Sequence, residues 1–268
     1  MDFETIIYDK ADGLATITLN RPERMNAFTS QMIDEWYAAL LDAHGDDAVK
    51  VVIITGSGRG FCAGADVQGG KLSGGLVDRA RSQVENRNWL RDGVQRIPRL
   101  VALMDKPYIA AVNGAAVGAG MDMASMCDIR FAADGARFGM TYVRMGIIPG
   151  DGGCYYLPRI IGMARALDLI WTGRIIDAQE ALAMGYVSEV VPADALMDRV
   201  REYALKLANG PAVAIQQAKR LAYRSQDVDI DAALDLAQQA MFIAQSTEDA
   251  IEGPKSFAEK REPEWKGR

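Results

Sequence analysis

Two runs, Val51-Val-Ile-Ile-Thr55 and Tyr108-Ile-Ala-Ala-Val112, constrain the fold of this 268-residue chain more than any other feature. Both are short unbroken apolar stretches between polar or glycine borders, the pattern of a strand buried on both faces. A glycine-rich turn and a helical stretch follow each of them, over Val51 to Asp66 and Ile109 to Met126, with a looser recurrence from Ile147 to Asp168. Strand, glycine turn and helix in repetition predict an α/β layer structure.

Around this centre the other elements fall into place. Thr5 to Tyr8 and Leu14 to Leu19, joined by Ala11-Asp12-Gly13, read as a hairpin that Asn20-Arg21-Pro22 ends. Thr29 to Ala43 has helical spacing with Thr29 or Ser30 as N-cap, and shorter strands are expected at Asp128 to Ala132 and Tyr186 to Val191. Beyond Ala195 the pattern is helical over Asp198 to Leu207, Ala212 to Arg224 and Ile230 to Ala244, and it ends in a charged segment, Glu248 to Arg268. The expected division is a core over 1–195 and a helical region over 196–268, packed on the core or on a neighbouring subunit, because no Gly/Ser/Pro-rich linker separates them. Residues 69–77, GGKLSGGLV, precede an Arg-rich helical stretch from Arg79 to Arg99 and read either as a loop over a site or as a plain surface connection.

Composition removes several function classes. Thirty Lys+Arg against 36 Asp+Glu give a net charge of −6, which offers no broad attraction for nucleic acid. Cys62, Cys127 and Cys154 are odd in number and outside metal-ligand spacing, so a reducing compartment and no zinc site are expected. The start MDFETIIYDKADG resembles neither a secretory signal nor a transit peptide, and Lys, Asp or Gly interrupts every apolar segment before the ~20 residues of a membrane span. A cytoplasmic protein without membrane contact is the expectation. The single histidine, His44, reads as a helix-end residue, which removes most chemistry built on a histidine base.

The glycine motifs are equally selective. Gly56-Ser-Gly58-Arg-Gly60 misses the dinucleotide spacing, Gly64 to Gly69 is followed by Gly70 where a phosphate loop has Lys-Ser/Thr, and there is no G-x-S-x-G elbow. What remains is a pair of small-residue turns, Phe61 to Asp66 and Asn113 to Gly120. Either alone is compatible with close packing of helix on strand. Together they are able to form an anion hole from backbone amides.

Asn20-Arg-Pro with Asn26-Ala27, Ile53 through Phe61-Cys-Ala-Gly-Ala-Asp66, Lys106 through Asn113-Gly114 to Arg130, Gly146-Ile-Ile-Pro-Gly-Asp-Gly-Gly153 with Leu157-Pro-Arg159, and Glu252 to Arg261 occur in this order along nearly the whole chain. In this ordered set the chain resembles the enoyl-CoA hydratase/isomerase (crotonase) superfamily. The resemblance implies a crotonase-like spiral of ββα units, a C-terminal helical region used in trimerisation, and trimers often paired into hexamers. It implies an acyl-CoA thioester as ligand, with coenzyme A entering as part of the substrate and no separate cofactor or metal. By position, the N–H groups of Ala65 and Ala119 correspond to the pair that holds the thioester oxygen. Arg24, Met25 and Ala27 flank the nucleotide end of CoA, Ala63, Gly64, Ala65 and Asp66 the pantetheine, and Phe257 and Lys260 the adenine and phosphates, sometimes across a subunit boundary. A solvated terminal charge run is the other reading of the last two.

Hydratases of this family place two carboxylates at the reacting carbons. Asp122 falls at the first position and is expected to be the principal acid/base. The second falls on Tyr142, a phenol with an ordinary pKa near ~10 and a poor base at neutral pH. Asp151 stands in the glycine-rich turn one residue beyond an acid position of some isomerases, where this chain has Gly150, and a turn or N-cap aspartate is its alternative reading. Cys62 reads as a small buried thiol, and Asp128 and Arg130 as structural. The expected activity is hydration of a 2-enoyl-CoA or a double-bond shift. The alternative is a catalytically impaired CoA-binding or scaffolding subunit of the same fold.

Overall fold

A computed structural model describes residues 2–66 and 82–268. Asp12 and Gly13, with φ of 53° and 77°, close a two-residue turn between β1 (Ile6–Ala11) and β2 (Leu14–Leu19), which pair antiparallel with Ile6 opposite Leu19. The remaining strands are β3 (Val51–Gly56), β4 (Gly60–Cys62), β5 (Tyr108–Val112), β6 (Ala115–Val117), β7 (Ile129–Ala133), β8 (Arg137–Gly139), β9 (Ile176–Asp177) and β10 (Glu189–Val191). A larger sheet has the order β1-β2-β3-β5-β7-β10, parallel from β2 onward, and a smaller one the order β4-β6-β8-β9. Links of two or three residues carry the chain from β3 to β4, β5 to β6 and β7 to β8. Each turn of the chain thus steps from one sheet to the other, and stacking of these steps produces the spiral of ββα units.

The helices are α1 (Ser30–Gly45), α2 (Gln83–Asp92), α3 (Arg96–Leu103), α4 (Ala119–Ser125), α5 (Gly153–Ile161), α6 (Met163–Thr172), α7 (Ala178–Ala183), α8 (Leu196–Ala208), α9 (Ala212–Arg224), α10 (Ile230–Gln245) and α11 (Asp249–Glu259). Thr29 is the N-cap of α1, its hydroxyl accepting from the Met32 N–H at 3.2 Å, and His44 lies in the last turn. The Arg-rich stretch divides at Gly93 into α2 and α3, and Ser82 and Glu85 form a reciprocal capping box at the start of α2. The glycine segment 69–77 lies outside the described residues.

Three differences from the sequence reading have physical causes. The short strands β4 and β6 lie inside what reads as glycine-rich turn, and β8 in a stretch given no element, because three residues are too few to show a period. The third repeat begins at β7, with Ile147 in a connection. The charged terminal segment contains α11, whose charges pair along its flank: Arg261 with Glu252 and Lys266 with Glu248, while the Asp249 carboxylate accepts the Lys266 and Gly267 N–H groups at 2.7 and 2.9 Å.

Alternation along β3 divides the apolar interior in two. Val52 and Ile54 pack with Met32 and Trp36 of α1, whereas Val51 and Ile53 pack with Leu196, Val200 and Ala204 of α8. Residues 196–208 therefore cover the second face of the larger sheet, and the helices that stand off it begin with α9. Asp128 ties α9 down: its carboxylate accepts from the Tyr108 N–H at 2.7 Å and the Tyr223 hydroxyl at 2.8 Å, and pairs with Lys219 at 2.8 Å. Arg130 donates to the Tyr186 and Cys127 carbonyls, both at 2.6 Å. Both residues are structural. No helix among the described residues is long and apolar enough to cross a membrane.

Replacing Asp128 with Ala strands a buried N–H and leaves the Lys219 ammonium with only the Lys106 carbonyl, so urea unfolding is expected to show a loss of ~3 kcal/mol. Tyr223→Phe, which removes one of the three contacts, is expected to cost about 1 kcal/mol.

Candidate active site

Backbone pairing builds the site's floor. The Ala63 N–H donates to the Met25 carbonyl, the Phe28 N–H to Gly64 and the Asp66 N–H to Phe28, at 2.9, 2.9 and 3.1 Å. Met25 to Phe28 thus runs beside Ala63 to Asp66, and the Ala65 N–H, between two engaged positions, has no acceptor among the described residues. Ala119 opens α4 as its first residue, and its N–H is likewise without an acceptor among them.

Glycines bring these two amides together. Gly64 has φ of +92°, and a Cβ there would lie 3.0 Å from the Val117 oxygen and 3.5 Å from the Ala119 nitrogen. A Cβ on Gly120 would lie 2.0 Å from the Cys62 oxygen. The two turns are in backbone contact at these points, which only residues without a side chain permit. Two asparagines hold the loops behind them: Asn26 Nδ2 donates to the Ser57 and Gly60 carbonyls at 2.9 and 2.8 Å, and Asn113 Nδ2 to Gly58 at 3.0 Å. Arg21 joins the two strips by donating to the Ala27 carbonyl and pairing with Asp66 at 2.8 Å. The sequence reading assigned no role to Asn26, Asn113 or Arg21. Their signal was that each stands beside a turn and inside a segment that carries the resemblance.

A cavity of about 250 Å³ opens against Ala65 and Ala119. Phe28, Ile33, Leu90, Val94 and Ile147 give it an apolar wall, and Asp34, paired with Arg96, also borders it. Tyr142 and Asp151 form the polar side. Asp122, expected as the principal acid/base, does not line the cavity: it is 0% exposed and lies behind Tyr142.

These three side chains form one chain of oxygens. Tyr142 Oη lies 2.7 Å from Asp122 Oδ2 and 3.0 Å from Asp151 Oδ2, and all three residues are buried. Asp122 comes from the first turn of α4, Tyr142 from the 3₁₀ turn Thr141–Met145 and Asp151 from the turn before α5. A Cβ on Gly153 would lie 2.1 Å from Asp122 Oδ1, so glycine is what lets α5 approach this carboxyl. The Gly153 and Asp151 N–H groups face the carboxyl, yet Oδ1 has no partner of hydrogen-bond geometry. Burial, reinforced by the neighbouring Asp151, drives the Asp122 pKa well above the carboxylate range. Burial pushes Asp151 up to about 6, with the Tyr142 hydrogen bond acting against it. Burial, then the two carboxylates, raise Tyr142 further. Cys62 is a buried thiol pushed up to about 12 by burial, which leaves no thiolate at neutral pH.

The expected CoA residues divide into two sets. Arg24, Met25, Ala27, Ala63, Gly64, Ala65 and Asp66 lie together on the two paired strips, with Arg24 exposed at the end of a 3₁₀ turn and the Asp66 carboxylate held by Arg21. Phe257, 86% exposed, and Lys260, closing α11 with φ of 55°, do not line the cavity.

Comparison with known proteins agrees with this geometry. The family model described as enoyl-CoA hydratase/isomerase matches residues 9–268. A crotonyl-CoA hydratase of Syntrophomonas wolfei is 37% identical over 97% of both chains, and a short-chain-enoyl-CoA hydratase of Clostridium acetobutylicum 37% identical over 98% of both. A crystal structure of enoyl-CoA hydratase from Bacillus anthracis superposes with a TM-score of 0.90 at 35% identity, covering 99% of this chain and 100% of that one. A spiral of two-sheet steps and a match along nearly the whole length place this chain in the enoyl-CoA hydratase/isomerase family.

Proposed function

We propose that the chain adds water across the 2,3 double bond of a 2-enoyl-CoA, with the thioester oxygen held by the Ala65 and Ala119 N–H groups and Asp151 as the carboxylate that takes the water's proton. The observation that carries this reading is that two residues whose amides have no acceptor among the described residues line one apolar cavity, whose wall also holds a buried carboxyl. Attack of the water oxygen at C3 drives the electron pair through C2 onto the thioester oxygen, where each preorganised donor lowers the barrier by ~3 kcal/mol. At about 6, the Asp151 pKa leaves it ionised at neutral pH and a stronger base than an ordinary carboxylate. The relatives named for crotonyl and short-chain enoyl substrates, together with the small cavity, support a short acyl chain. Arg24, Met25, Ala27 and the strip from Ala63 to Asp66 hold the CoA, and no further cofactor enters. The three free cysteines accord with a cytoplasmic setting.

One observation favours a second reading. Asp151 is the one buried carboxyl on the cavity wall among the described residues, and a double-bond shift needs a single base that takes a proton from one carbon and returns it to another. For assembly, α10 and α11 expose Ile230, Phe242, Ile251 and Phe257 by 70, 74, 72 and 86%. A homotrimer, or a dimer of trimers, would cover this apolar surface and carry Phe257 and Lys260 to the CoA of a neighbouring subunit.

Crotonyl-CoA is the test substrate, followed by loss of the conjugated thioester's ultraviolet absorbance. Ala119→Pro removes one donor at a first-turn position where proline is tolerated, and kcat is expected to fall ~10²–10³-fold while CoA still binds. Asp151→Asn is expected to cost ~10²–10⁴-fold. Because the ionised carboxylate is the active form, kcat/KM should fall as pH drops below about 6. Conversion of a 3-enoyl-CoA without hydration would move the conclusion to the double-bond shift, and CoA binding without turnover to the scaffolding alternative. Light scattering at three or six times the 29.1 kDa chain mass is expected.

A further inference from the structure

Three oxygens in contact have to share their protons. A phenol carries one proton, yet Tyr142 Oη stands within hydrogen-bond distance of a carboxyl on each side, at 2.7 and 3.0 Å. With both carboxyls ionised, Tyr142 could donate to only one, and the other contact would set an anionic oxygen against a lone pair in a buried space. Among the described residues, the titratable groups that act on the pair from neighbouring elements are Cys62, Cys154 and Tyr186, none of them a cation. Two hydrogen bonds along three oxygens therefore require two protons, one on the phenol and one on a carboxyl.

The surroundings identify that carboxyl. Asp122 is fully buried, and although the Gly153 and Asp151 N–H groups face its carboxyl, Oδ1 makes no hydrogen bond of good geometry, a condition less costly for the carbonyl oxygen of a neutral acid than for an anion. Asp151 borders the cavity. The resting arrangement is a protonated Asp122 donating to Tyr142, and Tyr142 donating to an ionised Asp151.

We infer that Tyr142, standing on the cavity wall where a second carboxylate is missing, delivers the proton to C2 of the substrate, and that Asp122, buried behind it, resupplies the phenol. This rests on the hydratase reading of the site. Water's oxygen bonds to C3, its proton passes to Asp151, and the double-bond electron pair moves to the thioester oxygen. When the enolate collapses, the phenol O–H breaks, C2 gains that hydrogen, and the Asp122 proton moves onto the phenol oxygen. Asp122 is then the carboxylate and Asp151 the acid. Return of one proton from Asp151 to Tyr142 and of another from Tyr142 to Asp122 restores the start with no net gain or loss. Tyr142 is a catalytic residue in this scheme, and Asp122 a positioning residue that acts through it.

The resting arrangement is tested without turnover by infrared difference spectroscopy of the unliganded protein at pH 7.5. One protonated carboxyl C=O band is expected in the wild type, absent in Asp122→Asn. Absence of the band in the wild type, which needs no variant to fold, overturns the inference, as does its persistence in Asp122→Asn. With crotonyl-CoA, Tyr142→Phe is expected to lose ~10²–10⁴-fold in hydration. The solvent proton inventory should change from curved in the wild type to linear in Asp122→Asn. Hydration by Tyr142→Phe within threefold of wild type would also overturn it. A wild type that shows the band but does not hydrate crotonyl-CoA would sink the functional reading and leave the shared proton standing.

Discussion

Backbone contact between two turns underlies everything else in this molecule. Gly64 lies against Val117 and Ala119, and Gly120 against the Cys62 carbonyl, at separations that a single methyl group would abolish. Because the contact is between main chains, the relative position of the Ala65 and Ala119 N–H groups is set by the parallel pairing of β4 with β6 and by the entry into α4. Packing of long side chains contributes little to it. Donors fixed this way do not titrate, and they need no reorganisation when charge develops in front of them. The asparagines at 26 and 113 belong to the same device, since they satisfy carbonyls of the loop between β3 and β4 that close approach leaves without strand partners.

The sequence made the scaffold more legible than the wall of the cavity. β3 and β5 were readable because burial on both faces writes an uninterrupted apolar run, and α8, beneath the sheet, kept its helical period. The three-residue strands had no period to show, and α11 was concealed because its charges, and that of Glu248 before it, pair with Arg261 and Lys266 of the tail that follows. The two small-residue turns followed from local turn chemistry, and the choice of Ala65 and Ala119 within them from the resemblance. The order of Asp122, Tyr142 and Asp151 did not, because it depends on where the connection from β8 to α5 returns over the start of α4. The resemblance set Asp122 at an acid/base position as if it faced a ligand, whereas the returning 3₁₀ turn puts a phenol between it and the cavity.

Gly153 shows how the same backbone logic extends to the acids. Its missing side chain lets the first turn of α5 reach Asp122, and the N–H groups of Asp151 and Gly153 that face the carboxyl hold back a pKa that burial drives upward. A cation there, of which the described residues supply none, would have fixed both carboxyls as anions. Dipoles alone leave the pair sensitive to a single proton, which is the condition under which two carboxyls with a phenol between them differ in basicity while sharing one hydrogen-bond chain.

The charge balance of the site follows from these two parts. In the reaction proposed above, a negative charge forming on the thioester oxygen would meet two N–H donors on one side and, on the other, an acid chain that already carries one negative charge in its resting form. Were that charge fixed on Asp151, next to the cavity, it would oppose the enolate through a medium of low polarizability. Once Asp151 has taken the water's proton, the chain is neutral while the enolate exists. The charge reappears only as C2 is protonated, and then on Asp122, the member farthest from the cavity. A carboxyl buried behind a tyrosine is poorly placed to touch a substrate and well placed to accept that charge, and its distance from the reacting carbons is a functional property of the arrangement.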